Sequence, residues 1–279
     1  MLAILGGTGA ALAFAGSTIC SSRSAKLLDP FSVVAWVMLA GLVVSVPLAA
    51  AQGVPHFDAS NVTWLVVGGT GNVLGLVIAY YAMRTGKVGV VAPIVSSEGA
   101  VAAVLATATG APLGAATGFL LLVVAVGIVL AGRQVEPGAG GFAGRPAILA
   151  FAAALAFGVS LLAIARAAET VPLWWSVLPA RVIGAAALAL PLALTRRLRL
   201  TRRAVPFVVT SGLCEVAGLG SYALGARHGI AVAAVLASLF GALAAVLAAV
   251  LFGERLARVQ VAGVGTIAAG VALLTALHA

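Results

Sequence analysis

The chain has 279 residues, of which 63% are hydrophobic and only 8% charged, with a mean hydropathy of +1.20. A soluble domain carries about 25% charge, so this composition excludes one and indicates a multi-span membrane protein. The net charge of +9 lies in short loops between apolar runs, which reads as membrane topology and not as a nucleic-acid surface.

A membrane crossing needs about 20 apolar residues. In chain order the pattern predicts spans near 2–20, 31–51, 62–83, 88–108 and 113–132, then 146–165, 172–194, 206–225, 229–252 and 257–277. The N-terminus has no basic region and is read as the first span, not as a cleaved signal. A glycine-rich stretch at 132–146 reads as a linker. The domains expected are therefore 1–132, a linker at 133–145, and 146–279. Gly68, Gly71 and Gly75 form a small-residue stripe suited to close helix approach, echoed by Gly212 and Gly218. Cys20 and Cys214 match no metal-ligand or disulfide spacing, and three scattered histidines give no metal site.

The segments 12–132 and 155–275 repeat one design at a constant offset of 143 residues. Phe14/Phe157, Ser17/Ser160, Gly75/Gly218, Arg84/Arg227, Gly86/Gly229 and Gly110/Gly253 all keep that register. Each copy holds five spans, an odd number, so the second enters the membrane inverted relative to the first. The fold expected is an all-α integral membrane protein of ten transmembrane helices in two inverted five-helix repeats. Such repeats surround midplane sites in many secondary transporters. Loops on one side carry 13 Lys and Arg residues, including Arg84, Lys87 and the 196–203 cluster, against Arg166 and Arg227 on the other. By the positive-inside rule the basic side is cytoplasmic and both termini lie outside.

Ionisable groups inside spans cost about 2.5–3.5 kcal/mol each on insertion scales and mark functional sites by default. There are three, Glu98, Arg181 and Glu215, and Asn72 joins them near the same depth. Glu98 follows Pro93, Ser96 and Ser97, so a kink, two hydroxyls and a carboxylate fall together. That carboxylate either binds a cationic group or a proton, or is a neutral acid hydrogen-bonded to serine. Glu215 is the repeat counterpart of Asn72 and shares a helix face with Ser211, Gly218 and Tyr222. It reads as a cavity wall, with an Asn72–Glu215 hydrogen bond as the alternative. Arg181 pairs with Glu98 or Glu215, binds a substrate carboxylate, or stacks on Trp174, the structural pair being favoured. Among the aromatic residues, Tyr81 and Tyr222 are preferred as pocket residues over Tyr80 and the tryptophans. The copies differ at Glu98 against Gly241, Arg181 against Met38 and Glu215 against Asn72, and the substrate site is expected there.

Both halves resemble EamA domains of the drug/metabolite transporter superfamily, over essentially the whole chain. The resemblance rests on Tyr222-Ala223-Leu224, the small-residue run 233–247, Phe252-Gly253-Glu254-Arg255-Leu256 and Gly270-Val271. It rests equally on Tyr81-Ala82-Met83, Gly86, Gly110, Leu113 and Gly127-Ile128 in the first half. The first half departs at Ala111-Pro112, where the family's Gly-Glu would put a carboxylate, which only Glu254 keeps. The Arg181 position also matches one often held by arginine in such domains. The resemblance implies a ten-helix bundle with a central cavity, export or exchange of small metabolites, and cytoplasmic termini, opposite to the charge count.

No catalytic spacing or phosphate-binding loop is present, so an enzyme or an ATP-driven pump is not expected. The function expected is secondary transport of a small organic metabolite (an amino acid, nucleoside or drug-like solute) by alternating access. A non-transporting scaffold is the alternative. No cofactor is expected, with proton coupling or exchange both open. The partners expected are the substrate and the bilayer of the cell membrane, not nucleic acid, with a homodimer left open.

Overall fold

The computed structural model describes residues 1–110, 114–131, 144–253 and 257–277, which form helices and short connections with no strand among them. The first half comprises α1 (Leu2–Leu27), α2 (Pro30–Ala50), α3 (Ala59–Thr85), α4 (Val88–Val95), α5 (Glu98–Ala108) and α6 (Ala115–Ala131). The second comprises α7 (Arg145–Thr170), α8 (Leu173–Gly184), α9 (Leu190–Leu194), α10 (Val205–Ala226), α11 (Ile230–Ala237), α12 (Phe240–Phe252) and α13 (Arg258–Leu277). A π-helical turn, Ala185–Ala189, joins α8 to α9 just before Pro191, which has no N–H to continue the ladder.

Among the described residues, eight crossings are long and apolar enough to span a bilayer, counting α4–α5, α8–α9 and α11–α12 as one each. The expected ten thus stand at eight by this measure. The 17-residue α6 is shorter than the other crossings and packs against α13. The linker expected at 133–145 falls mostly outside the described residues, as does Glu254.

Local signals set several helix starts. Asp29 caps α2 by accepting from the Ser32 amide, with Pro30 at the first helical position. Asp58 and Asn61 form a reciprocal capping box at α3. Arg227 donates to the Ala168 and Val171 carbonyls at the end of α7, a cation on a helix C-terminus. Arg166 donates to Thr109 and pairs with Glu169 at 3.6 Å.

The halves interlock through a pseudo-twofold relation. The α1–α10 interface is the counterpart of α7–α3, and both are main interfaces of the bundle. Gly218 leaves room for the Phe14 ring, and Gly75, its equivalent, leaves room for Phe157. The equivalent residues Arg181 and Met38 touch, and they approach Gly41 and Gly184 in the same reciprocal way.

Two crossings are broken near mid-length, and their breaks correct the repeat register. The first gives way at Ser96–Ser97 and the second at Ser238–Leu239, each after an eight-residue helix. The two runs align at an offset of 142, not 143, so Ser238 matches Ser96 and Gly241 matches Gly99. Glu98 and Phe240 each open the second segment, so the structural counterpart of Glu98 is Phe240 and not Gly241. The two crossings pass at their breaks. A Cβ on Gly99 would collide with Ser238 and the Ala234 carbonyl, and one on Gly241 with Ser96 and the Ala92 carbonyl. Pro93 is not required for such a break, because Val235 holds the matching place in the other crossing.

Candidate functional site

At the middle of the bundle lies a cavity of about 50 Å³, bounded by α1, α3, α4, α5, α7, α10 and α12. That is room for a few water molecules. Glu98, Asn72 and Glu215 all reach its wall, as do Tyr80 and the rings of Phe14, Phe157 and Phe240. Both halves therefore contribute, and the sequence-predicted acids meet in one place.

Glu98 is the first residue of α5, where the helix dipole favours a carboxylate. It is 4% exposed, and no described residue donates a hydrogen bond to its carboxyl group. The serines before it do not serve it. Ser96 donates to the Pro93 carbonyl and Ser97 to that of Ile94, both at 2.8 Å, and neither lines the cavity. Serine hydroxyls bonding back to the preceding turn are a local alternative to ligand contact.

Glu215 has partners. Its Oε1 accepts from Ser17 at 2.9 Å, and its Oε2 lies 3.7 Å from Arg181 Nη2. Arg181 is fully buried behind it and does not line the cavity. The guanidinium fits because Gly41 has no side chain, and its Nη1 meets Met38 Sδ at 3.4 Å. Its Nε and Nη2 make no hydrogen bond. Arg181 thus pairs with Glu215 and not with Glu98, and Trp174 packs over Gly220 instead of stacking on it. Asn72 makes no hydrogen bond to Glu215, and its Oδ1 is buried without a partner.

A ladder of hydroxyls runs beside the acids. Ser17 and Ser21 on α1 face Ser211 on α10, at 2.9 and 2.7 Å, and Ser21 donates to Tyr80 at 2.7 Å. The chain Tyr80–Ser21–Ser211–Ser17–Glu215 is buried throughout. The equivalent contact across the pseudo-twofold is Ser160 donating to the Gly68 carbonyl, so the packing repeats while the ladder does not.

The other predicted tyrosines lie elsewhere. Tyr222 is buried outside the cavity and donates to the Leu161 carbonyl at 2.9 Å. Tyr81 is 38% exposed, edge-on to Phe31 on the outer face. Tyr81 is nine residues from Asn72, half a turn out of phase at 3.6 residues per turn; that spacing favours Tyr80. Ser17 and Ser21 had a readable signal too, being hydroxyls at i and i+4 within a span.

The lining extends toward Ser21, Met83 and Val91, at the end of the bundle that carries Arg84 and Lys87. The opposite end is tight. Gly6 meets the Gly225 backbone, and Gly7 meets Ala233 and Leu236. The equivalents of Gly6 and Gly225 are Leu149 and Ala82, whose side chains forbid so close an approach at the basic end.

Among the described residues no group of three His, Cys, Asp or Glu side chains is placed to hold a metal ion. No curated protein matches the chain. Twenty-eight chains of solved structure do. One, known only as a protein crystal structure, superposes with a TM-score of 0.72 at 21% identity, covering 99% of this chain and 96% of its own. That likeness establishes a shared fold. The profile of the EamA-like transporter family matches residues 1–133 and 144–276, nearly the entire length in two consecutive copies. The chain is a multi-pass membrane protein and belongs to the EamA-like transporter family.

Proposed function

We propose that this protein is a secondary transporter of the cell membrane, with ten crossings in two inverted repeats, that exports a small organic solute by alternating access. The observation that carries the reading is Glu98, a carboxylate without a hydrogen-bond partner among the described residues, on the wall of a cavity shared by both halves. A scaffold gains nothing from an uncompensated acid at that depth, whereas a carrier needs a group that can be matched and released. The tight Gly6–Gly225 crossing at one end supports the same reading. The side chains of its equivalents, Leu149 and Ala82, keep the backbones from so close an approach at the other end, an asymmetry that suits a rocking inverted repeat. The driving force is a proton gradient or exchange of solutes, and Glu98 suits either. The basic end of the bundle is assigned to the cytoplasm on its charge.

Untargeted metabolite profiling of cells with and without the protein identifies candidate solutes, and efflux from proteoliposomes tests them. Glu98→Gln is expected to abolish transport while leaving membrane insertion and folding intact. Transport at the wild-type rate by that variant would overturn the assignment.

A further inference from the structure

The unmatched charge of the cavity has one sign. Glu215 is already matched by Arg181 and Ser17, and the ladder hydroxyls are occupied by one another. Among the described lining residues, Asn72 and the Thr18 hydroxyl are left without side-chain hydrogen bonds, and so is the Glu98 carboxyl group. Asn72 and Thr18 can each donate or accept, so Glu98 is the one charged group left unmatched. The dipole of α5 opposes Glu98 with only about half a charge, which does not neutralise it. The guanidinium at this depth is behind the wall, so among the described residues the lining holds no cationic side chain for an anion. The rest of the surface facing Glu98 is largely ring and aliphatic carbon. Phe14 and Phe157 enter symmetrically from the two halves, and Phe240 stands edge-on to Phe14 with centroids 6.1 Å apart. Aromatic faces with a single carboxylate attract an ammonium group and reject a carboxylate.

We propose that the cavity recognises a small organic monocation, a protonated amine with an apolar remainder, through Glu98 and the three phenylalanines, and that it discriminates against anions and zwitterions. Glu98 and Asn72 take the ammonium N–H groups in the space that now has room for a few waters, and the rings of Phe14, Phe157 and Phe240, which must part to admit a larger group, cover the apolar part. An amino acid is disfavoured because its carboxylate meets no positive group on the wall. This assignment names the substrate class for the carrier reading and rests on that reading for its role.

The test is calorimetric titration of the purified full chain with matched probes. Methylammonium, n-butylammonium and benzylammonium form the cationic set; benzyl alcohol, benzoate and phenylalanine are the neutral, anionic and zwitterionic comparators. At least one amine is expected to bind at least about tenfold tighter than every comparator. Glu98→Gln is expected to weaken amine binding by at least about tenfold, the scale of a lost charge-assisted hydrogen bond. Where Glu98→Gln does not fold, the probe series on the unmodified chain decides alone. Failure of all three amines to bind, or comparators binding as tightly, overturns the proposal, as does unchanged amine binding in a folded Glu98→Gln protein. Proteoliposome flux of the same probes separates the two readings. Amines that bind without moving defeat the carrier assignment and leave the recognition site standing. Flux of an anion without amine binding does the reverse.

Discussion

Arg181 and Met38 hold the same place in the two halves, and they touch, with Arg181 Nη1 at 3.4 Å from Met38 Sδ. Contact between equivalent residues puts the pseudo-twofold axis between them. That position admits one cation and not two, because a second guanidinium there would face the first in a low-dielectric interior. The asymmetry at this pair thus follows from the symmetry around it. Arg181 in turn answers Glu215, which differs from its own counterpart Asn72. Removing one member of a buried ion pair costs about 3–5 kcal/mol, because the survivor is stranded. Arg181→Met is expected to destabilise the fold on that scale in denaturant unfolding in detergent. The double variant Arg181→Met/Glu215→Gln is expected to recover most of the loss. A double variant whose loss equals the sum of the two single ones would show the pair to be uncoupled.

The hydroxyl ladder gives a graded series. Ser17 donates to a carboxylate, and a hydrogen bond to a charged group is worth about 1.5–3 kcal/mol. Ser17→Ala removes it and is expected to cost that much. Tyr80→Phe removes a neutral hydroxyl at the far end of the chain, with about 0.5–1.5 kcal/mol expected. Chemical unfolding of both variants checks the order. A costlier Tyr80→Phe would mean that the phenol, not the serines, anchors the network.

Close contact at the crossing of the broken helices makes a second comparison. A methyl group at Gly99 meets Ser238 and the backbone carbonyl of Ala234, and backbone cannot swing aside. Gly99→Ala is expected to lose about 1–3 kcal/mol or more by overpacking. At Gly16 the nearest obstacle is Cys214 Sγ at 3.4 Å, an ordinary contact. Gly16→Ala is expected to be neutral, or stabilising by up to about 1 kcal/mol from helix propensity. Thermal unfolding of the pair in one detergent decides the matter, and equal losses would remove the crossing as a special contact.

These contacts mark where the sequence is easy to read and where it is not. Hydropathy and the 143-residue offset locate most helices and the inverted pairing, because burial in lipid leaves a signal along the whole segment. The offset misleads at the broken crossings. Ser96 aligns with Leu239 by sequence, whereas the breaks pair it with Ser238. A one-residue slip inside a run of Ala and Val changes no hydropathy, so only the glycine–serine contacts expose it. The acids were legible because a mid-span charge is rare. Their partners were not, since pairing depends on helix rotation. Tyr80 and Tyr81 are neighbours of one type, and only their facing puts Tyr80 on the cavity and Tyr81 on the outer surface.

The orientation proposed on charge can be tested through how the cations are used. The two on the sparsely charged side are committed to structure. Arg227 closes the end of α7, and Arg166 ties α7 to Thr109 and Glu169. Neither is a free topological signal, so the asymmetry is stronger than the bare count of 13 against 2. The 196–203 loop, exposed over most of its length, is then expected on the cytoplasmic side, and the turn at His228 on the outer side. In a Cys20→Ala/Cys214→Ala background, Thr201→Cys is expected to resist a membrane-impermeant thiol reagent in intact cells and to react after lysis. His228→Cys is expected to react in both. Labelling of Thr201→Cys from outside, with His228→Cys protected, would turn the molecule over. The end toward which the cavity extends would then face away from the cytoplasm.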